Sequence, residues 1–175
     1  VIAVGRFSHE KGFDLLAQAW KIVCRKHNDW HLQLYGGGDK TSLYKLILQL
    51  NITDSFQINE ATTDILKKYT ESSICILSSR FEGFGMSIAE AMSCGIPVVS
   101  FNCPCGPRYI IRDGEDGILV ENGNVEKLAD KICYLIENEH RRKEMGRKAR
   151  INIKRFETEQ IMSQWIKLFE ELLRI

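Results

Sequence analysis

The chain has 175 residues, of which 44% are hydrophobic and 27% charged, and its formal net charge is +1. That is enough chain to close one substantial core, and interspersed charges of both signs exclude the basic footprint of a nucleic-acid binder. The longest apolar runs, such as Ile74 to Leu77 and Ile96 to Val99, fall far short of the roughly 20 residues a membrane span requires.

Short β-branched runs alternate with longer segments of helical period, the pattern of a parallel sheet covered on both faces. The sequence opens at Val1, inside the first predicted strand (Val1–Val4), without a methionine or a signal peptide, and so reads as a piece of a longer protein. Phe13, Leu16, Ala17, Trp20 and Val23 then recur at three- and four-residue spacing, predicting a helix. A strand at His31–Tyr35 and a helix carrying Leu43, Leu46, Ile47 and Leu50 follow. Further strands are predicted at Ser55–Ile58, Ile74–Leu77, Pro97–Phe101 and Gly117–Val120. The tail reads as three helices, Val125–Glu137, Arg141–Lys154 and Glu159–Leu173, the last with an apolar stripe of Ile161, Trp165, Leu168, Phe169 and Leu172. The expected class is α/β: one domain built on a doubly wound parallel sheet of about six strands, in three α/β/α layers with C-terminal helices. Ligands of such sheets bind at the carboxyl ends of the strands.

The cysteines, Cys24, Cys75, Cys94, Cys103, Cys105 and Cys133, are spread through segments that read mostly as buried helix and strand. They fit reduced, space-filling thiols in a cytosolic setting. The single close pair, Cys103-Pro104-Cys105, lacks the paired ligand spacing of a structural zinc site.

Three strand-to-helix loops carry unusual chemistry. Gly5-Arg6-Phe7-Ser8-His9-Glu10-Lys11-Gly12 sets two cations beside two glycines just before a helix. Glycine allows backbone to approach an anion, and Arg6 and Lys11 can donate charge-assisted hydrogen bonds to phosphate; a surface turn with incidental charges reads equally well. Gly36-Gly37-Gly38-Asp39 could admit a ligand or another backbone, although a tight turn with Asp39 capping the next helix explains it as well. The third loop runs from Ser78 through Glu82-Gly83-Phe84-Gly85 and opens a helix near Met86, whose free N–H groups and positive dipole end make an anion site. Glu82 precedes that helix and Glu90 lies about one turn inside it, which places the carboxylates roughly 10 Å apart. A retaining glycosidase pair stands about 5 to 5.5 Å apart and an inverting pair about 6.5 to 9.5 Å, so the spacing suits neither. It suits one long ligand with hydroxyls at both ends and phosphates in the middle, the shape of a nucleoside diphosphate sugar.

At these residues the sequence resembles the retaining glycosyltransferases of family 4, which are built from two Rossmann-like halves facing a cleft, the GT-B architecture. The resemblance covers essentially the whole chain. Its strongest part is the glutamate pair Glu82 and Glu90, inside Glu82-Gly83-Phe84-Gly85 and Glu90-Ala91-Met92-Ser93-Cys94-Gly95-Ile96-Pro97-Val98-Val99; Val4-Gly5-Arg6 with Lys11-Gly12 matches the opening signature of the family's donor-binding C-terminal half. One stretch departs: in Asn102-Cys103-Pro104-Cys105-Gly106-Pro107-Arg108-Tyr109-Ile110-Ile111, Tyr109 stands where many relatives carry a glutamate. A Cys-Pro-x-Gly-Pro version occurs in relatives that build surface polysaccharides.

The resemblance implies that Glu90 accepts from the ribose hydroxyls, that Glu82 contacts the sugar being transferred, and that Arg6 and Lys11 hold the diphosphate and stabilise it as it leaves. It also implies that Phe84, Gly85, Met86 and Ser87 meet sugar and phosphate, that Gly5 lets the chain pass close by, and that the base sits near Gln57, Ile58 and Asn59. Residue by residue, structural alternatives stand beside these roles. Glu90 could act only on its helix dipole, and Arg80 could pair with Glu82 and do nothing more. The implied substrate is a UDP- or GDP-sugar, UDP favoured, transferred with retention to a glycan or lipid-linked acceptor in polysaccharide biosynthesis. No metal is expected, since no Asp-x-Asp pair is present and the cations can take that role. The implied partner is the N-terminal acceptor domain, in a cytoplasmic enzyme that can sit at the inner membrane face through that half.

Two other classes compete. A dinucleotide enzyme would need Gly-x-Gly-x-x-Gly after the first strand with an acid about 20 residues on, and the sequence lacks that combination. A nucleotide-sugar-binding module without turnover is compatible with this half. The stripe on the last helix, which in the family crosses to the other half, predicts exposed apolar surface and artificial dimers of the isolated domain.

Overall fold

The computed structural model describes residues 1–173. Six parallel strands form one sheet in the order β3-β2-β1-β4-β5-β6: β1 (Ile2–Val4), β2 (Leu32–Gly36), β3 (Phe56–Glu60), β4 (Cys75–Leu77), β5 (Val98–Phe101) and β6 (Gly117–Val120). The helices are α1 (Phe13–Lys26), α2 (Thr41–Leu50), α3 (Ile65–Thr70), α4 (Met86–Ser93), α5 (Pro107–Ile110), α6 (Val125–Glu137), α7 (Glu139–Asn152) and α8 (Thr158–Leu173). The Rossmann-like fold class is thus the one expected.

Side chains of the inner strands alternate between two cores. Ala3, Ile74, Ile76, Val99 and Phe101 face a cluster with Leu16, Trp20 and Val23 of α1, Ile47 of α2 and Leu128 and Ile132 of α6. Ile2, Cys75, Leu77 and Val98 face a second cluster with Tyr69 of α3, Ile88 and Met92 of α4, Ile110 of α5 and Ala149 of α7. With both faces covered the strands read as continuous apolar runs, which is why they were visible in the sequence.

The edge strand differs from expectation. β3 ends at Glu60, two residues beyond the predicted Ile58, because its polar residues are paired across the sheet edge: Gln33 Nε2 donates to Gln57 Oε1 (2.8 Å) and Asn59 Nδ2 donates to Gln33 Oε1 (2.9 Å). The short helices α3 and α5 do not span enough turns to show a period. α7 starts at Glu139 and stops at Asn152, followed by a 3-10 turn over Ile153–Phe156 against which α8 packs. None of the residues of α8 is buried.

The strand order reverses between β1 and β4. Loops leaving those two adjacent strands run to helices on opposite faces and open a crevice between them, the place where open α/β sheets bind ligands.

Candidate functional site

The β1–α1 loop is held by backbone. Gly5 N–H donates to Tyr35 C=O (3.0 Å) and Phe7 N–H to Gly37 C=O (2.8 Å), so the loop lies along the end of β2. Gly36 permits this: a Cβ there would stand 1.9 Å from Gly5 O. The close-backbone reading of the glycine run is therefore realised; Asp39 forms a local turn, accepting from Thr41 N–H at Oδ1 (2.9 Å), while the N-cap position of α2 falls to Lys40 and not to Asp39. After a 3-10 turn at His9–Lys11 the chain reverses at Gly12 (φ 61°), where a Cβ would fall 2.1 Å from Ser78 O. Only glycine meets both the left-handed backbone and that close approach.

The β4–α4 loop is stitched to the first. Ser78 Oγ donates to Lys11 C=O (2.9 Å), Arg80 N–H to Glu10 C=O (2.7 Å) and Arg80 Nη1 to His9 C=O (2.8 Å). The Arg80 guanidinium also forms a two-pronged pair with Asp14 of α1, at 2.8 and 2.6 Å, and holds that carboxyl below its ordinary range. The expected alternative in which Arg80 pairs with Glu82 is thereby corrected: Asp14 takes the guanidinium, and Glu82 takes Lys11.

Glu82 is buried, and its Oε1 accepts from Lys11 Nζ (2.7 Å) and Ser79 Oγ (2.6 Å). Cys103 packs near it; burial, and then the charge of Glu82, push that thiol up to about 11. Three residues later Gly85, at φ 95°, precedes α4, whose start no side chain caps. Its first N–H groups are left for a ligand or water. Glu90 is the fifth residue of α4, and the helix has no acid in its first turn, so dipole stabilisation there does not account for it. Its Oε2 instead accepts from the buried hydroxyl of Tyr69 (3.2 Å).

Val4, Gly5, Arg6, Lys11, Glu82, Phe84, Gly85, Met86, Ser87 and Glu90 line one open cleft of about 400 Å³. Nine of the ten predicted site residues meet there. Ile58 does not: it lines a separate depression between β3 and α2 with Gln57 and Asn59. A second compartment, about 290 Å³, adjoins the cleft and shares Val4, Gly5, Arg6 and Glu90 with it, continuing over Tyr35, Gly36, Gly37, Ala61, Thr62 and Ile65. Sequence reasoning did not name these further residues as site residues. The run of glycines after β2 was the available signal for Gly36 and Gly37; Ala61, Thr62 and Ile65 follow a polar edge strand and give none. Among the described residues no three His, Cys, Asp or Glu side chains gather as a metal site, and no helix is long and apolar enough to cross a membrane.

The family profile described as "Glycosyl transferases group 1" matches residues 1–152. The chain belongs to this family. It is 34% identical over 168 residues to the poly(ribitol-phosphate) alpha-N-acetylglucosaminyltransferase of Staphylococcus aureus, covering 95% of this chain and 34% of that enzyme. It is 33% identical over 166 residues to an uncharacterized glycosyltransferase of Haemophilus influenzae, covering 94% of this chain and 47% of the relative. The chain therefore spans less than half the length of these relatives. Among solved structures it superposes on a mutant of S. aureus TarM in complex with fondaparinux, alpha-GlcNAc-glycerol and UDP, with a TM-score of 0.90 and 33% identity over 96% of this chain and 35% of that one. It also matches the pneumococcal O-GlcNAc transferase GtfA in complex with UDP and GlcNAc, with a TM-score of 0.85 and 26% identity over 99% and 36% of the two chains. The fold is the one found in GT-B glycosyltransferases. In this group 1 glycosyltransferase chain, then, the glutamate pair and the single loop of the opening signature line one cleft at the switch point of the sheet.

Proposed function

We propose that the chain is the donor-binding C-terminal domain of a two-domain glycosyltransferase. It takes a UDP-sugar in preference to a GDP-sugar and transfers the sugar, with retention of configuration, to a glycan or lipid-linked acceptor held by the other half, in polysaccharide assembly in the cytoplasm. The observation that carries this reading is the order of groups along the two joined compartments. Glu82 lies in one, Gly37, Ala61, Thr62 and Ile65 lie in the other, and Gly5, Arg6 and Glu90 belong to both.

A nucleotide sugar fits that order end to end. The sugar faces the free Oε2 of Glu82 and the backbone at Phe84–Ser87. The diphosphate lies on Arg6, Lys11 and the start of α4. The ribose meets Glu90, and the base enters the compartment over Ala61, Thr62 and Ile65 rather than the depression at Ile58. When the anomeric C–O bond breaks, its electron pair leaves with the diphosphate. Preorganised positive charge and N–H donors aimed at that oxygen lower the barrier. Arg6, Lys11 and α4 supply that charge, so the reaction is proposed to proceed without a divalent cation. UDP is favoured because TarM and GtfA were both captured with it.

Calorimetric titration of the full-length protein with UDP, GDP and ADP, with and without magnesium and repeated on Glu90→Ala, tests this. Selective, magnesium-independent UDP binding that weakens by about 1.5 to 3 kcal/mol in the variant is expected. Absence of nucleotide binding by the folded full-length protein would overturn the reading.

A further inference from the structure

We propose that Tyr69 is a positioning residue for the nucleotide ribose, acting by holding Glu90 in its binding rotamer; this rests on the reading of Glu90 as the ribose-binding group. Tyr69 lies on α3, which is only six residues long, and its side chain is entirely buried among Ile88, Ala91 and Met92 of α4 and Cys75 and Leu77 of β4. Its phenol donates to Glu90 Oε2 at 3.2 Å. Burial raises the pKa of that hydroxyl above its ordinary value, which keeps it a hydrogen-bond donor at neutral pH.

A glutamate on a helix surface has three rotatable side-chain bonds, and fixing them when ligand arrives costs affinity. Glu90 has one oxygen anchored from below by a ring that cannot move without opening the core. The other oxygen is left to accept a ribose hydroxyl. The phenol keeps its proton and donates a hydrogen bond to Oε2, which restricts the carboxylate to fewer rotamers. The same helix presents Ile65 to the adjoining compartment, so α3 ties the wall proposed for the base to the group proposed for the ribose.

A tyrosine that merely fills the core would behave differently from one that positions a ligand group, and the difference is measurable. The affinities of full-length wild type, Tyr69→Phe and Glu90→Ala for UDP and for 2′,3′-dideoxy-UDP should be compared, with melting temperature recorded for each. Phenylalanine keeps the buried ring, so the variant is expected to fold. Wild type should prefer UDP, and Glu90→Ala should abolish the preference. Tyr69→Phe should reduce it by about 3- to 10-fold, the worth of one preorganising hydrogen bond, with the affinity for the dideoxy ligand unchanged. Equal loss for both ligands, or no loss of preference beside an effective Glu90→Ala, would overturn the positioning role while leaving Glu90 as ribose ligand. A wild type indifferent to the ribose hydroxyls, or a preference that survives Glu90→Ala, would overturn both.

Discussion

Lys11 Nζ lies 2.7 Å from Glu82 Oε1, joining residues 71 positions apart in the chain, and Ser79 Oγ donates to the same oxygen. The pair ties the two loops at the switch point, and both contacts fall on Oε1, leaving Oε2 outside them. Lys11→Met should therefore act twice. Leaving the buried carboxylate with a single donor should cost about 1 to 3 kcal/mol of stability, and removing a cation from the leaving group should lower kcat of the full-length enzyme about 10²- to 10³-fold. Glu82→Gln should keep UDP affinity and lose turnover. Calorimetric unfolding and steady-state kinetics check both effects; a loss of stability with kcat within about threefold of wild type would make the pair a structural tie alone.

The Arg80–Asp14 pair makes a prediction about pH. The Arg80 guanidinium holds the Asp14 carboxyl below its ordinary value. A carboxyl depressed in the folded state contributes stability that is complete above its unfolded pKa, about 3.9, and is lost as pH falls through the lower folded value. Both partners are partly exposed, which limits the pair to about 0.5 to 1 kcal/mol. Urea titrations of wild type and Asp14→Asn should differ by that amount at pH 7 and converge as pH drops below 3.9. A difference that persists undiminished at pH 2 would mean that Asp14 acts through packing and not through its charge.

The thiols should react in an order set by burial. Cys105 is exposed, Cys24 and Cys94 are half-buried, and Cys75, Cys103 and Cys133 are buried, with none of the six in a disulfide. Burial pushes Cys75 up to about 12 and Cys103 up to about 11. Since the thiolate is the nucleophile, iodoacetamide at pH 8 should label Cys105 first and leave Cys75 and Cys103 intact until the protein unfolds. Peptide mass spectrometry over a time course reads this directly. Early labelling of Cys103 would show that the loop beside Glu82 opens in the native state.

The inner sheet was legible because strands buried on both faces are runs of β-branched residues, and α1, α6 and α8 were legible because their apolar stripes last several turns. Arg6, Lys11 and Glu82 were legible because each stands next to glycine in a strand-to-helix loop, and Glu90 because it follows Glu82 after seven intervening residues on the helix that this loop opens. What escaped lies on the β3 side. Gln57 falls inside the predicted strand, but the polar edge residues Asn59 and Glu60 give no apolar run to extend it, and α3 is too short for a period. The compartment at Ala61, Thr62 and Ile65 consequently left no trace in sequence. The alternative pairing of Arg80 with Glu82 failed for another reason: spacing put the two side by side, whereas Asp14 comes from the first turn of α1 and only the tertiary fold brings it to Arg80.

The last helix carries the remaining prediction. Met162, Trp165, Ile166, Leu168, Phe169, Leu172 and Leu173 are all exposed, and the rings of Trp165 and Phe169 lie 5.7 Å apart, centre to centre, on the surface. A contiguous apolar patch of this kind on a soluble domain drives association unless something covers it. Among the described residues α8 packs mainly against the turn at Ile153–Phe156, so residues 1–175 expressed alone should bind an apolar dye and self-associate as concentration rises, as followed by light scattering. The double change Trp165→Ser and Phe169→Ser should suppress both. Because no α8 residue is buried in this domain, the same change should leave its melting temperature nearly unmoved. If the double variant instead melted several degrees lower, α8 would be folding back onto its own domain in solution. A monodisperse wild-type monomer without dye binding would mean that the stripe is covered within one chain.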